Sequence, residues 1–448
     1  MLVWALAAGE NMGMAQTNAP VARFRLITLD PGHFHAALMQ KSMSADIDPA
    51  VSVYAPAGDD LNEHLQRIKG FNTRPDQPTD WREKVYAGPD YFEKMLAEKP
   101  GNVVVLSGNN ARKTDYILRS VRAGLNVLAD KPMVITPGEL PRLQEAFAAA
   151  ASNHVLLYDI MTERFEITTI LQRELSRRAA VFGELVKGTA EDPAIVMESV
   201  HYFSKTVAGL PLKRPAWAFD VRQQGEGMAD VSTHLVDLAQ WEAFPERALH
   251  PGDSTVTGAR RWNTAISRQQ FKLVTGLDEF PGFLQNDVKN GVLQVCANGE
   301  FTWKLRDVFV KARVLWDFQP PAGGNDTYHS ILRGTRCRLE IRQGAEEKFK
   351  PVLYVEKTSG TQEQTLAAAL QTTITSLQAE YPGIGLQKDG GRWQVTIPEK
   401  YDVGHEAHFS QVIENYLKYL REGRLPDWEV PNMLTKYATI MRAYEMSR

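Results

Sequence analysis

Residues 103–132 read VVVLSGNNARKTDYILRSVRAGLNVLADKP and hold two apolar runs on either side of a helix-like segment. The first run, 103–106, is continuously apolar, as expected of a strand that is buried on both faces of a parallel sheet. Gly124 follows the helical segment 114–123, at a position where glycine commonly ends a helix. The second apolar run covers 126–129. The stretch therefore predicts a strand–helix–strand unit with a right-handed crossover, the building block of parallel α/β domains.

The same alternation continues on both sides of this stretch. Short β-rich runs at 24–29, 51–54 and 155–158 are separated by helical segments. This order predicts a Rossmann-like, doubly wound parallel sheet over residues 22–160. Beyond it, longer β-rich pieces with few helices predict a second α+β domain over 161–448, built on a large open, mostly antiparallel sheet and ending in a returning helix.

Composition excludes several classes of protein. Of the 448 residues, 51 are Lys or Arg and 54 are Asp or Glu, a formal charge of −3, which argues against a nucleic-acid partner. No apolar run reaches the roughly 20 residues of a membrane span. The two cysteines, Cys296 and Cys337, form no CxxC motif. We expect two buried thiols, although the pair could join neighbouring strands.

Residues 1–21 are set aside from the fold as a possible leader or disordered extension. The segment is apolar and reaches a small-residue pattern at 13–15 before Gln16, as a secretory leader cut after Ala15 would. It lacks a basic start, and Glu10 interrupts it. A cut leader would place the protein in the periplasm or outside the cell; otherwise it is cytoplasmic.

The first βα turn, residues 30–35, reads Asp-Pro-Gly-His-Phe-His and occupies the place of a dinucleotide fingerprint. Only the middle glycine, Gly32, is kept, and it is the one that lets a pyrophosphate approach the backbone. Asp30 would repel a pyrophosphate unless its side chain turns away, and His33 and His35 could offset that charge. No acidic residue stands at the end of the second strand and no arginine is close, so NAD and NADP both remain open.

Two further motifs suit proton transfer. Asp130-Lys131-Pro132 follows a predicted buried strand, and a lysine at a partly desolvated strand end can act as an acid or a base. In the segment Gly225 to Asp237, the side chains at 230, 234 and 237 share one face of a helix. A carboxylate can set the tautomer of the histidine, His234, and the same stripe could instead hold a metal.

Together these motifs resemble those of the Gfo/Idh/MocA oxidoreductases. Asp130-Lys131-Pro132 resembles their EKP motif, and residues 225–237 resemble their GGG-x-x-x-D-x-x-x-H-x-x-D segment. Residues 107–110 stand where the family carries Thr-Pro-Asn, and residues 163–165 resemble its Asn-Tyr-Arg-Phe. Trp217 lies upstream of the glycine-rich segment, where the family often has a Trp. The resemblance covers about residues 22–320, and 320–448 is similar to a C-terminal extension in some branches.

The resemblance implies an enzyme that uses NAD or NADP to move a hydride to or from a hydroxyl-bearing carbon of a sugar, glycoside or cyclitol. Lys131 would contact the reacting hydroxyl, His234 would be the acid/base and Asp230 would line the pocket. It further implies a homo-oligomer. The implied substrate contacts are Lys131, Arg164, Trp217, Asp230, His234 and Asp237. The expected cofactor contacts are Asp30, Gly32, His33, His35, Ser107, Asn109, Asp130, Lys131 and Pro132.

Two other functions stay open. One is an NAD-dependent glycoside hydrolase or lyase that oxidises its substrate transiently, and the other is a non-catalytic sugar-binding protein. Four more histidines raise the possibility of a metal site that includes His234, but contacts with substrate hydroxyls explain them better, and we predict no metal. They are His201, His329, His405 and His408.

Overall fold

The computed structural model describes residues 23–207 and 210–448, so the predicted leader lies outside the described residues. The first sheet has six parallel strands in the order β3-β2-β1-β4-β5-β6. Its strands are β1 (Leu26–Leu29), β2 (Ala50–Ala55), β3 (Arg82–Ala87), β4 (Val103–Leu106), β5 (Asn126–Asp130) and β6 (Leu157–Ile160). Its helices are α1 (His35–Leu38), α2 (Asp59–Thr73), α3 (Tyr91–Glu98), α4 (Lys113–Arg122) and α5 (Leu140–Ser152).

This strand order confirms the predicted Rossmann-like sheet. The order reverses between β1 and β4, and in open α/β sheets ligands bind at such a switch point, outside the carboxyl ends of the strands. All four residues of β1 and all four of β4 are buried. The sequence analysis missed β3 because this edge strand has no apolar alternation and most of its residues are exposed.

The second sheet has ten strands in the order β10-β12-β13-β7-β14-β15-β16-β18-β17, with β11 paired to β12. Every pair is antiparallel except β13 with β7, which confirms the predicted sheet. The strands from β7 on, including a separate β8–β9 hairpin, are β7 (Ile195–Tyr202), β8 (Thr206–Val207), β9 (Leu210–Pro211), β10 (Ser254–Ser267), β11 (Val288–Lys289), β12 (Val292–Leu305), β13 (Val308–Asp317), β14 (Thr327–Arg333), β15 (Cys337–Gln343), β16 (Val352–Lys357), β17 (Gly385–Asp389) and β18 (Arg392–Thr396).

The β-rich stretch 301–316 is divided between two strands, because the chain turns at Arg306 and Asp307 between β12 and β13. Arg306 has a φ of 55°, and the two strands pair as an antiparallel hairpin. Both cysteines are free, in β12 and β15; Cys337 is buried and Cys296 is partly buried. The remaining helices are α6 (Ile167–Ser176), α7 (Gly227–Asp230), α8 (Ser232–Ala243), α9 (Arg268–Thr275), α10 (Glu363–Leu377), α11 (His405–Glu422) and α12 (Glu429–Met446).

The last two helices return to the body of the protein. On α11, the Tyr416 hydroxyl donates to the carbonyl oxygens of Val127 and Leu156, at 3.2 and 2.9 Å, and its ring stacks on Tyr158. The C-terminal segment therefore covers the β5–β6 edge of the parallel sheet. Among the described residues, no helix combines the length and the apolar character needed to cross a membrane.

Candidate active site

Lys131 and Asp230, predicted from separate motifs, meet at the carboxyl edge of the parallel sheet. Nζ of Lys131 donates to Oδ1 of Asp230 at 2.6 Å, and Gln224 donates to the other oxygen at 3.0 Å. The two side chains are 13% and 10% exposed, so little solvent competes for this pair. Burial opposes the charge of Lys131, but the carboxylates of Asp230 and Asp130 outweigh it and raise the pKa of Lys131.

His234 lies on α8, one turn after Asp230. Burial, and then the positive charge of Lys131, lower its pKa from 6.5 to about 3. Its Nδ1 is buried and has no hydrogen-bond partner among the described residues. His234 is therefore a neutral imidazole near neutral pH, beside a lysine that stays charged.

Asp237 and Arg164 are placed differently from the prediction. Both are buried, and Asp237 accepts from Nε and Nη2 of Arg164 at 2.6 and 2.7 Å. Lys436 of α12 donates to Asp237 at 2.9 Å, and Arg164 also donates to Glu429 at 2.8 Å. Because these charged groups are engaged by one another, direct substrate contact by Asp237 and Arg164 is not supported. They hold α8 and α12 together behind the site.

The structure of the first βα turn shows where the carboxylate of Asp30 lies. This residue has a φ of 50°, the left-handed region that glycine usually fills at this position. Its carboxylate accepts from the hydroxyls of Tyr116 at 3.0 Å and Tyr91 at 3.4 Å, away from the turn, and burial raises its pKa. On the other side, a Cβ on Gly108 would lie 2.1 Å from the carbonyl oxygen of Asp30. The two loops at the switch point thus touch backbone to backbone.

His35, Asp130 and Ser107, all predicted cofactor contacts, form one buried network. Oδ2 of Asp130 lies 2.8 Å from Nδ1 of His35 and accepts from Ser107 at 2.8 Å. Nδ1 of His33 is 3.8 Å from the same oxygen. Burial lowers the pKa of both histidines; it also opposes ionisation of Asp130, but His35 and Lys113 outweigh it and lower the pKa of that carboxyl.

The ligand atoms of His33, His35 and Asp130 lie within 4.8 Å of one another, the spacing of a metal site. A cation here would meet Lys113, whose Nζ donates to the Asp130 carbonyl oxygen at 2.9 Å. The absence of a metal stays a prediction, and the described part of the chain holds no other group with metal-site spacing. Among the described residues, no group with metal-site spacing joins His234 to any of the four histidines considered for it, His201, His329, His405 and His408.

A segment of the second domain crosses over this edge of the sheet. Nε1 of Trp217 donates to Asp60 of α2 at 2.8 Å. At the other end, Asn109 donates to the Gln223 side chain at 2.7 Å. A Cβ on Gly32 would lie 2.8 Å from Asp60 Oδ2 and 3.1 Å from the Trp217 ring, which explains the glycine. We call residues 217–224 the strap; Trp217, predicted as a substrate contact, instead lies against the first βα turn.

The remaining histidines separate into three places. Nδ1 of His201 is 3.1 Å from Asp326, and its ring stacks on Trp316 at the end of β13. His329 pairs with Glu340 at 2.8 Å, across β14 and β15. His405 and His408 lie in the first turn of α11, where Nδ1 of His405 is 3.3 Å from Glu163.

Four further polar residues lie around these groups: Asp60, Glu163, Arg214 and Asp326. From the sequence, Asp60 follows the second strand, and the segment 213–215 suits either a sugar or cofactor contact or a surface loop. No role was predicted for Glu163 or Asp326. Arg214 lies over the Trp316 ring and donates to the carbonyl oxygens of Phe203 and Tyr202; burial lowers its pKa to about 10.

The chain is similar to known oxidoreductases in sequence and in structure. A family model described as "Putative oxidoreductase C terminal domain" matches residues 171–448. The crystal structure of a "putative oxidoreductase" from Parabacteroides merdae is 53% identical, with a TM-score of 0.93, over 95% of this chain and 98% of that one. No curated protein matches the chain.

Two more distant structures share the fold. GenD2 from gentamicin A biosynthesis, solved with NAD, is 14% identical with a TM-score of 0.56, over 99% of this chain and 97% of its own. KijD10, a 3-ketoreductase from Actinomadura kijaniata solved with NADP and TDP-benzene, is 14% identical with a TM-score of 0.55, over 94% and 96%. At this identity they show a common architecture.

Proposed function

The chain belongs to the Gfo/Idh/MocA oxidoreductases, and from that premise we propose that it transfers a hydride between a nicotinamide dinucleotide and a hydroxyl-bearing carbon of a sugar, glycoside or cyclitol. The observation that carries this proposal is the Lys131–Asp230 contact beside the neutral His234. Alcohol oxidation needs a fixed positive charge at the oxygen and a group that accepts the hydroxyl proton. Lys131 and His234 supply the two.

The residues at the switch point fit a dinucleotide. Gly32 adds no side chain to a turn that Asp60 and Trp217 already approach closely, and the carboxylate of Asp30 is bound to two tyrosines. We propose that Gly32 and His33 hold the pyrophosphate, and that Ser107 and Asn109 border the dinucleotide. When bound, the dinucleotide supplies the acceptor or donor of the hydride.

The protein residues then have separate tasks. The Lys131 ammonium, held by Asp230, donates a hydrogen bond to the substrate oxygen and stabilises negative charge there. His234 takes the hydroxyl proton during oxidation and returns it during reduction. Asp237 and Arg164 do not touch the substrate; they fix the helix that carries His234.

We propose NAD as the preferred cofactor. Asp59 and Asp60 occupy the first turn of α2, directly after β2, where the adenosine ribose of a dinucleotide binds in this fold. The exposed carboxylate of Asp59 would accept a hydrogen bond from a 2′-hydroxyl and repel a 2′-phosphate, while Asp60 already accepts from Trp217. Arg67, further along α2, is paired with Glu63 at 3.1 Å.

The two other functions predict different products. A hydrolase or lyase that oxidises its substrate transiently would release an aglycone with no net NADH, whereas the proposed enzyme would form one NADH per keto-sugar. A sugar-binding protein would keep its affinity for the sugar in Lys131→Ala.

The decisive experiment is to denature the purified full-length protein and assay the supernatant for NAD(H) and NADP(H). We expect bound NAD(H), or NAD binding on titration, followed by NADH formation with a subset of methyl glycosides or cyclitols. Failure to bind either dinucleotide would exclude both redox functions and leave the binding protein.

A further inference from the structure

We propose that His405, supplied by α11 and held by Glu163, contacts a second hydroxyl of the substrate and so determines which polyol is accepted. The inference rests on the proposed function and adds a specificity-determining residue to it. His405 lies in the C-terminal part of the chain, far in sequence from the other groups of the site.

The position of His405 is fixed by packing. α11 begins at His405, after Gly404 with a φ of 76°. One turn later, the Phe409 ring lies 4.4 Å from the ring of His35 in α1. Lys41 donates to Glu406 at 2.6 Å, a second link between α11 and the first domain. The start of the helix is therefore docked against the first βα turn.

The same contacts bring His405 to the catalytic groups. Its ring lies 6.0 Å from the ring of His35, whose Nδ1 contacts Asp130, the neighbour of Lys131. Its partner Glu163 lies in the 3-10 turn after β6. The negative charge of Glu163 acts to raise the pKa of both Lys131 and His234, which places the carboxylate near both.

The exposure of this pair distinguishes it from its neighbours. The side chain of His405 is 47% exposed and that of Glu163 is 36% exposed, whereas the Lys131 side chain is 13% exposed. Nδ1 lies 3.3 Å from the Glu163 carboxylate, and in the tautomer that carries its proton on Nδ1 the Nε2 atom is an acceptor. A substrate hydroxyl can donate to that nitrogen.

A metal at this place is not supported. His408, three residues further, is buried, and its Nδ1 has no partner in the described part of the chain. Its ring lies 6.2 Å from the ring of His405, and the two do not belong to a group with metal-site spacing among the described residues. The exposed pair of His405 and Glu163 is instead suited to form hydrogen bonds with an uncharged polyol.

The test compares wild type with His405→Asn and Glu163→Gln. The matched control is His154→Asn, which changes an exposed histidine in the turn after α5. The probes are methyl β-D-glucopyranoside, its single-deoxy analogues, methyl β-D-galactopyranoside and myo-inositol, with NAD. Dinucleotide content after purification checks that each variant is folded at the first βα turn.

We expect His405→Asn to raise KM about tenfold for the preferred probe, the size of one hydrogen bond, with kcat within about threefold. Wild type and His405→Asn should have equal KM values for the one deoxy analogue that lacks the contacted hydroxyl, because neither protein can form that hydrogen bond with it. Glu163→Gln should show the same pattern more weakly, since it keeps a hydrogen-bond acceptor for Nδ1–H.

Equal KM values for the preferred probe in wild type and His405→Asn would overturn this inference. So would the same increase in KM for each deoxy analogue in both proteins. If NADH still formed in either case, the proposed function would remain intact. A wild-type protein that binds neither dinucleotide and oxidises no probe would overturn the proposed function, and the inference with it.

Discussion

Nζ of Lys131 and Oδ1 of Asp230 are 2.6 Å apart although the two residues are 99 positions apart in the chain. Lys131 directly follows the fifth strand of the parallel sheet, and Asp230 ends α7 in the second domain. The contact therefore joins the two domains at the point where the substrate would bind. It also keeps the ammonium charged and pointed in one direction.

The first prediction concerns this contact. Lys131→Met removes the positive charge next to the substrate oxygen and leaves Asp230 unpaired. We expect kcat for NADH formation to fall by about 10²- to 10³-fold, the usual size of losing one donor to a developing negative charge on oxygen, with dinucleotide content unchanged. The control is Lys187→Met, at an exposed lysine paired with Asp307. A variant that keeps more than a tenth of wild-type kcat would contradict the role of Lys131.

The second prediction concerns the contact between the two loops at the switch point. In Gly108→Ala, the added Cβ would lie 2.1 Å from the Asp30 carbonyl oxygen and 2.7 Å from the nitrogen of Gly32. Both atoms are backbone, so the first βα turn has to move. We expect NAD affinity to fall at least tenfold by isothermal titration, with kcat at saturating NAD less affected.

The matched control for that change is Gly138→Ala. Nothing lies within 4 Å of a Cβ at Gly138, which stands in the 3-10 turn before α5. Its NAD affinity should equal that of wild type. If Gly108→Ala bound NAD as tightly as the control, the dinucleotide would have to be held elsewhere.

The third prediction concerns the buried ion cluster behind His234. Lys436 is fully buried and donates to Asp159 at 2.6 Å and to Asp237 at 2.9 Å. Lys436→Met removes one cation between two buried carboxylates, and breaking such a pair typically costs about 3–5 kcal/mol of unfolding free energy. Urea denaturation followed by circular dichroism measures it.

A surface pair provides the comparison. Lys388 and Glu363 form an exposed ion pair, with side chains 53% and 46% exposed. Lys388→Met should change the free energy of unfolding by less than about 1 kcal/mol. Similar losses in the two variants would mean that the buried cluster contributes no more than a surface pair.

Much of the fold could be predicted from local signals. Continuous apolar runs such as 103–106 are typical of buried parallel strands, and Gly124 marked the end of α4 with a φ of 80°. The missed strands had no such pattern: β3 is exposed on both faces, and β10 mixes polar, small and apolar residues without a regular alternation. Their pairing comes from neighbouring strands, which a single stretch of sequence does not contain.

The candidate site also contains residues that the sequence could indicate and residues that it could not. Lys131 and Asp230 could be predicted because a resemblance tied them to known motifs. Asp237 fitted the same helical stripe, but its partners Arg164 and Lys436 come from distant segments, so periodicity could not show that it is buried in an ion cluster. The pairing of Glu163 with His405, 242 positions apart by their numbering, depends on how the last helices return.

The fourth prediction is a pH dependence of stability that originates from His64. This side chain of α2 is buried, 3% exposed, and neither ring nitrogen has a partner among the described residues. Burial, and then the charge of Arg67, lower its pKa from 6.5 to about 4. Between these two pH values the unfolded chain binds a proton that the folded protein excludes, so stability falls as pH drops below 6.5.

The size of this effect follows from the shift. Each pH unit below the unfolded pKa contributes about 1.4 kcal/mol, so His64 should account for about 2 kcal/mol of lost stability at pH 5. Carboxylates and the other buried histidines add acid sensitivity of their own, and the comparison must isolate one residue. We therefore expect the stability difference between pH 7 and pH 5, from urea denaturation, to be about 2 kcal/mol smaller in His64→Leu than in wild type. His154→Asn, at an exposed histidine, should leave that difference unchanged; an unchanged value in His64→Leu as well would mean that His64 is protonated in the folded protein.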